Sequence, residues 1–140
     1  MTSEDHNRDE ITNYEEDGVK DLAQAARDFR QRYYGPDNNP VPPAAMAELA
    51  PEVMRLVDSV IYGEIYNRPA VDLKTRSLCT IAALTVLGRQ DQLRVHIARA
   101  VGAGATREEV EEVLLQMCAF GGFPATWDAL VTAKAVFAEG

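Results

Sequence analysis

The stretch of sequence that decides the fold runs from residue 72 to residue 118 and reads DLKTRSLCTIAALTVLGRQDQLRVHIARAVGAGATREEVEEVLLQMC. Its apolar residues recur every three or four positions, which indicates helices. Asp72 is a suitable N-cap for a long helix that runs to about Leu87 and ends at Gly88. That helix is apolar nearly all round, which predicts a central, buried element; its apolar residues are Leu73, Leu78, Ile81, Ala82, Leu84, Val86 and Leu87.

Two more helices are predicted within the same stretch. The first covers about Asp91 to Val101 and closes at Gly102 and Gly104. The second begins at a capping box, in which Thr106 is the cap and Glu109 occupies the third helical position. Apolar residues at strict helical spacing follow this box, namely Val110, Val113, Leu114, Met117 and Cys118.

Helical patterns also flank this stretch on both sides. The first amphipathic helix is marked by Val19, Leu22, Ala23, Ala26, Phe29 and Tyr33. A Pro- and Gly-rich break then leads to a helix that begins near Pro51, with an apolar stripe of Val53, Leu56, Val57, Val60 and Ile61. After Gly121, Gly122 and Pro124 an Ala-rich helix runs to Ala138. The sequence shows no convincing strand and predicts an all-α fold of six or seven helices.

The charge of the chain is concentrated at its beginning. The 140 residues carry a formal net charge of −8, and the first 21 hold eight acidic and two basic residues. We therefore expect residues 1–14 to form an acidic, flexible arm and residues 15–140 to form a single domain. Without a basic patch, neither nucleic acid nor an anionic membrane is an expected partner. Without a signal peptide or an 18-residue apolar run, the expected location is the cytoplasm.

His96 is the one histidine beyond the acidic arm. Its position between Leu93 and Ile97 places it on or beside the apolar face of its helix. One interpretation is a core histidine whose nitrogens bond to a backbone carbonyl or a neighbouring side chain. The other is a proton donor or acceptor whose pKa is tuned by partial burial.

Glu64 stands where an apolar residue is expected. It follows Val53 by eleven positions, which returns it to the same face of an α-helix. Either the helix end reaches solvent at this point, or the carboxylate lies at the rim of an internal pocket.

Three cations accompany the start of the long helix, namely Arg68, Lys74 and Arg76. Lys74 and Arg76 lie in its first turns, where the helix dipole favours negative charge instead. An acid of a neighbouring helix or subunit could compensate them. Alternatively, they hold a carboxylate-bearing ligand with the help of the backbone N–H groups at the helix start.

Other chemistries have little support in the sequence. A single relevant histidine, with no Cys, Asp or Glu at ligand spacing, predicts no catalytic zinc site. No glycine-rich phosphate loop follows a strand. Cys79 and Cys118 belong to no C-x-x-C motif, and we expect both to be small buried hydrophobic residues without a disulfide.

From about Ala50 onward the chain resembles the carboxymuconolactone decarboxylase family, which has the AhpD-like helical fold. The resemblance rests on the segments Tyr62–Pro69, Leu73–Leu78, Thr80–Leu84 and Leu87–Arg89, on Leu93 and His96, on the capping box, and on Ala119–Ala125. AhpD-like peroxidases use a C-x-x-C motif, a histidine four residues later and an upstream glutamate. With His96 in the histidine position, Arg89 and Gln92 replace the cysteines and Ser77 the glutamate, so no peroxidase activity is expected.

The resemblance implies a carboxy-lyase of aromatic compound catabolism that converts γ-carboxymuconolactone to 3-oxoadipate enol-lactone. In such a substrate the lactone carbonyl takes up the electrons left by CO2, so no cofactor is required. The protein has to anchor carboxylates, stabilise an oxyanion and protonate carbon. On this hypothesis His96 carries the proton and Glu64 orients it or relays the proton, while Arg68 or Arg76 holds a carboxylate and Lys74 assists.

Two other functions fit the same residues. One is a related cofactor-free lyase, isomerase or lactone-processing enzyme that acts on another small carboxylate. The other is a non-catalytic, oligomeric ligand-binding protein.

Under any of these functions, the helices have more apolar surface than one small bundle can bury. The family resemblance implies a homo-oligomer, a hexamer or else a trimer.

Overall fold

The computed structural model describes Leu22, residues 24–32 and residues 44–140. All the regular secondary structure in these residues is helical, which confirms the all-α class. The described residues separate into two compact units, one ending at Arg68 and the other beginning at Pro69. The predicted acidic arm and the predicted domain start at residue 15 lie outside the described residues.

Within the described part of the first unit there are three α-helices and a π-helix. They are α1 (residues 24–32), α2 (Ala44–Leu49), α3 (Pro51–Leu56) and the π-helix (Val57–Ile65). Ala26 and Phe29 are buried, which confirms the inner face predicted for the first helix. Pro51 occupies the first turn of α3 as predicted, since a missing N–H costs nothing at that position. Val19 and Tyr33 lie outside the described residues.

The π-helix changes the face that the sequence pattern predicts. Val53, Leu56 and Val60 are exposed, while Tyr62 and Gly63 are buried, so the predicted apolar stripe is wrong. Its physical reason is the wider turn of the π-helix, whose hydrogen bonds join residues five apart. A face counted at 3.6 residues per turn from Val53 therefore does not continue to Glu64.

An aromatic cluster forms the centre of the first unit. Phe29 of α1 stacks on Tyr62 with a ring-centroid distance of 5.1 Å, and both rings meet Tyr66 edge-on. Gly63 allows the backbones to approach, because a Cβ at this position would lie 2.7 Å from the carbonyl oxygen of Leu22. The segment Tyr62–Tyr66 is thus constrained by the packing of its two tyrosine rings and by the close backbone approach at Gly63.

The second unit consists of α4 (Leu73–Leu87), α5 (Gln90–Gly102), α6 (Arg107–Gln116), α7 (Cys118–Gly121) and α8 (Phe123–Glu139). The predicted boundary signals are confirmed. The side chain of Asp72 accepts a hydrogen bond from the Thr75 N–H at 2.8 Å, and Gly88 ends α4 with φ of 67°. Thr106 and Glu109 form both bonds of the capping box, at 3.0 Å and 2.9 Å.

The core of the second unit is built from α4, α5, α6 and α8, and its buried apolar residues are Ile81, Leu93, Ile97, Ala100, Ala105, Val110, Leu114, Ala129 and Ala133. The prediction that α4 is buried all round is wrong, because Val86 and Leu87 are exposed. Its buried face includes two hydroxyl residues, Ser77 and Thr85. They are tolerated there because each donates a hydrogen bond to the carbonyl four residues earlier in the helix.

Cys79 and Cys118 are both free thiols. Cys79 is exposed, so the prediction that it is buried is wrong, and Cys118 is half-buried. Cys79 lies two residues after Ser77, which places it on the opposite side of α4 from the core. Among the described residues, no helix has the length and hydropathy needed to cross a lipid bilayer.

Candidate active site

His96 lies on α5 at the edge of the core of the second unit. Leu93, Ile97 and Ala100, which are within four residues of it on the same helix, are all completely buried. The imidazole itself is half-buried, and its Nδ1 atom is shielded from solvent without a hydrogen-bond partner among the described residues. A buried polar atom without a partner costs about 1–3 kcal/mol, so a ligand that bonds to it gains affinity.

Burial and charge together keep His96 neutral. Loss of solvation, and secondarily the positive charge of Arg99, lower the pKa of His96 from 6.5 to about 4. Arg99 lies three residues further along α5, which brings it to the same side of the helix. At neutral pH the imidazole therefore has one N–H donor and one free lone pair.

A polar stripe runs along α5 through His96. Arg89 at the N-cap, Gln92, His96 and Arg99 are spaced by three or four residues and thus follow one side of the helix. Arg99 is close enough to lower the pKa of His96, and Arg89 lies about two turns earlier on the same side of the helix. Neither arginine was predicted as a site residue, although their spacing of seven and three residues from His96 is the signal that places them on its side of the helix.

Lys74 forms an ion pair with an acidic residue of the second unit. Its Nζ lies 3.0 Å from Oε1 of Glu109, the capping-box residue of α6. The hydrogen bond from the backbone N–H of Thr106 lowers the pKa of the Glu109 carboxyl below its usual range, and the hydrogen bond from Lys74 is the second-largest cause. For Lys74, the anion expected near the start of α4 is thus an acidic residue of a neighbouring helix, α6.

Arg76 is held at the start of α4 by its own backbone. Its Nε donates a hydrogen bond to the carbonyl oxygen of Val71 at 3.0 Å, and the side chain is half-buried. This bond uses one of the five guanidinium N–H groups. Its predicted role as a carboxylate anchor stays a prediction.

Glu64 and Arg68 belong to the first unit, and both are exposed. Glu64 lies in the last turn of the π-helix, and Arg68 follows that helix by three residues. The predicted action of Glu64 on His96 and the predicted anchoring of a carboxylate by Arg68 both stay predictions.

Ser77 occupies the place where the AhpD-like pattern has its relay glutamate. It is completely buried in α4, and its hydroxyl donates a hydrogen bond to the carbonyl oxygen of Leu73 at 2.9 Å. A serine hydroxyl, unlike a carboxyl, is not an acid at neutral pH, so Ser77 does not replace the relay glutamate as a titratable group.

Comparison with known proteins places these elements in a family. Residues 51–135, which include His96, match the model of the carboxymuconolactone decarboxylase family. An uncharacterized 15.0 kDa protein of Paracoccus denitrificans, from the nqo9–nqo10 intergenic region, is 42% identical over 97 residues, or 68% of this chain and 72% of that protein. The 4-carboxymuconolactone decarboxylase of Acinetobacter baylyi is 35% identical over 88 residues, or 63% of this chain and 66% of that enzyme.

A third similar protein is the nitrosuccinic acid decarboxylase of Metarhizium robertsii, which is 27% identical over 79 residues, or 56% of this chain and 55% of that enzyme. Two of these relatives are thus named as decarboxylases, which supports a decarboxylase-like function. The family match extends from the start of α3 into α8 and covers well over half of the chain. The chain belongs to the carboxymuconolactone decarboxylase family.

Proposed function

We propose that the protein is a cofactor-free decarboxylase of a small dicarboxylic acid of the γ-carboxymuconolactone type, with His96 as the proton carrier. The observation that carries this proposal is a neutral, half-buried histidine whose shielded Nδ1 has no hydrogen-bond partner among the described residues and which has a cationic neighbour on the same side of its helix. This arrangement suits an anionic ligand that needs a proton. In keeping with the family resemblance, we assign the reaction to aromatic compound catabolism, and the cytoplasm stays its proposed location.

The relatives' names suggest what such a substrate has in common. Carboxymuconolactone and nitrosuccinic acid are both dicarboxylic acids that contain an electron-withdrawing group, a lactone in one and a nitro group in the other. When the bond to the departing carboxylate breaks, its electron pair passes to carbon and delocalises onto an oxygen of that group. CO2 leaves, and carbon then takes up one proton. The protein contributes electrostatic stabilisation and the proton, since the substrate accepts the electrons itself.

The low pKa of His96 gives substrate charge a direct role. In the free protein the imidazole is neutral at pH 7 and has no acidic proton ready for carbon. A bound dicarboxylate adds negative charge next to the imidazole and raises its pKa, because opposite charge favours the protonated form. His96 then takes a proton from solvent, passes it to the carbanion and returns to the neutral state as product leaves.

Several basic residues are candidates for binding the carboxylates of the substrate. The structure favours Arg89 and Arg99, which lie on the same side of α5 as His96. Arg68 and Arg76 stay proposed anchors, and Lys74, which pairs with Glu109, stays a proposed assisting residue. A guanidinium can hold a carboxylate through two parallel hydrogen bonds, which orients the substrate as well as binding it.

Glu64 stays a proposed orienting or relay residue. Its place in a π-helix supports a functional role, because π-helical turns are frequent at functional sites. A Glu64→Gln variant tests this role. If the substitution lowers kcat with little change in KM, the carboxylate acts in proton transfer. Unchanged turnover rules out this role for Glu64.

The deciding experiment measures CO2 release from γ-carboxymuconolactone by the wild type and a His96→Gln variant. Arg89→Gln and Arg94→Gln form a matched pair of neutralised arginines, since Arg94 forms an ion pair with Glu139 instead of facing the His96 side of α5. We expect turnover in the wild type, loss of turnover in His96→Gln, a raised KM in Arg89→Gln and near-normal kinetics in Arg94→Gln. Full turnover by a folded His96→Gln variant removes the proposed proton carrier.

A pH profile separates the proposed proton transfer from a merely structural histidine. If the imidazolium is the donor, kcat/KM falls as the pH rises above the free-protein pKa of about 4, while kcat falls only above the higher pKa of the complex. Identical profiles for kcat and kcat/KM contradict this role. If the folded wild type lacks turnover, thermal-shift stabilisation by dicarboxylates identifies a binding protein. Turnover of another carboxylate identifies a related lyase or isomerase.

A further inference from the structure

His96 has four close neighbours on its own helix, at the positions three and four residues before and after it. Leu93 and Ala100 are completely buried in the core. Arg99 is half-buried and Gln92 is exposed. Of the four neighbours, two are thus committed to apolar packing, and the other two place one cation and one neutral amide beside the imidazole.

The spacing of Gln92 and His96 suits two groups that act on one small substrate. The Cβ atoms of helical residues four apart are about 5–6 Å from each other. In a lactone enolate or a nitronate, the charged oxygen and the carbon that takes up the proton are separated by a single atom. Two side chains one helical turn apart can therefore reach both of these atoms, one from each. Arg89 lies about 10 Å from His96 along the axis, which suits a more distant carboxylate.

A neutral donor beside His96 suits this chemistry better than a second cation. The amide of Gln92 has two N–H donors and no charge, so it stabilises an oxyanion without opposing protonation of the imidazole. Within the described part of the chain, no group hydrogen-bonds to this amide. Gln92 also lies in the first turn of α5, where the helix dipole favours negative charge. Asp91, the acid of that turn, is five residues from His96 and therefore lies on another side of the helix.

We infer that Gln92 donates a hydrogen bond to the oxyanion of the substrate and selects substrates by the basicity of that oxygen. This inference rests on the proposed decarboxylase function. When the bond to CO2 breaks, the electron pair passes through carbon onto the lactone or nitro oxygen, and Gln92 hydrogen-bonds to that oxygen without giving up its proton. The His96 imidazolium then protonates the carbon, and the electron pair returns from the oxygen to restore the lactone carbonyl or the nitro group.

The basicity of the oxygen determines how much this hydrogen bond contributes. A lactone enolate is a stronger base than a nitronate, so it gains more from a donor at its oxygen. Removing the donor should therefore slow γ-carboxymuconolactone decarboxylation more than nitrosuccinic acid decarboxylation. A residue that only maintains the structure of α5 would affect both substrates alike.

The experiment measures kcat and KM for CO2 release from these two substrates. Gln92→Met retains the length of the side chain and removes its donors, and Gln92→Glu retains the shape but places an anion beside the oxyanion. The matched control is Gln116→Met, which changes an exposed glutamine in the last turn of α6. Far-UV circular dichroism verifies the helicity of every variant.

Gln92→Met should lower kcat for γ-carboxymuconolactone by about 10²–10³-fold, the loss typical of one oxyanion donor, with little change in KM. The loss with nitrosuccinic acid should be smaller, Gln92→Glu should be at least as slow as Gln92→Met, and Gln116→Met should match the wild type. If the wild type accepts only one of the two substrates, kcat of Gln92→Met with that substrate decides.

Three results overturn the inference while the proposed function stands. They are a wild-type kcat in Gln92→Met, a loss confined to KM, and an equal loss of kcat with both substrates. A folded wild type without turnover of either substrate overturns the proposed function and this inference together. Activity of the wild type thus distinguishes the two failures.

Discussion

Acid should destabilise the wild-type protein more than a His96→Gln variant. In the folded chain the pKa of His96 is about 4, against 6.5 when the imidazole is fully solvated in the unfolded chain. Between these two values the unfolded state binds a proton that the folded state refuses, so stability falls as the pH falls from 6.5 toward 4. At about 1.36 kcal/mol per pKa unit the full effect is about 3 kcal/mol, and solvent screening of a half-buried group reduces it to about 2 kcal/mol.

The assay is urea unfolding of both proteins, followed by far-UV circular dichroism, at about pH 7.5 and about pH 4. Asp72 and Glu109 have pKa values that are lowered by hydrogen bonds at helix starts. Their protonation at low pH therefore reduces the free energy of unfolding equally in both proteins. The difference between the two proteins therefore isolates His96. We expect the free energy of unfolding of the wild type to drop by about 2 kcal/mol more than that of His96→Gln. Parallel losses would refute the assignment of a neutral, desolvated imidazole.

Three further predictions concern the second unit. Arg99→Gln removes a positive charge beside His96 and should raise the pKa of that imidazole, measured by NMR titration; an unchanged pKa contradicts the proximity. Thr106→Ala should cost about 1 kcal/mol in urea unfolding by removing the cap of α6, whereas Thr106→Ser retains it. Gly88→Ala, at φ of 67° with no atom within 4 Å of the new Cβ, should cost about 1 kcal/mol through backbone strain alone. Gly102→Ala, in an equally open place within a helix, should cost nothing.

The candidate site could be predicted from the sequence only in part. His96 was identifiable because its spacing from Leu93 and Ile97 sets it at the edge of a buried face, and both neighbours are buried in the structure. The pairing of Lys74 with Glu109 was not identifiable, because it joins residues 35 positions apart on different helices. The same applies to the low pKa of His96, which depends on desolvation by surrounding groups.

The sequence by itself determined the helix class and most of the helix boundaries of the second unit, although it did not separate α7 from α6. Asp72, Gly88 and the Thr106 capping box act on backbone groups within four residues, so a local pattern is enough to specify them. It did not determine which apolar residues are covered. Leu87 and Trp127 continue helical patterns as well as Ile81 does, yet only Ile81 is buried. Burial depends on the helices that pack against each face, and that arrangement exists only in the tertiary structure, since periodicity records how side chains are spaced and not what lies opposite them.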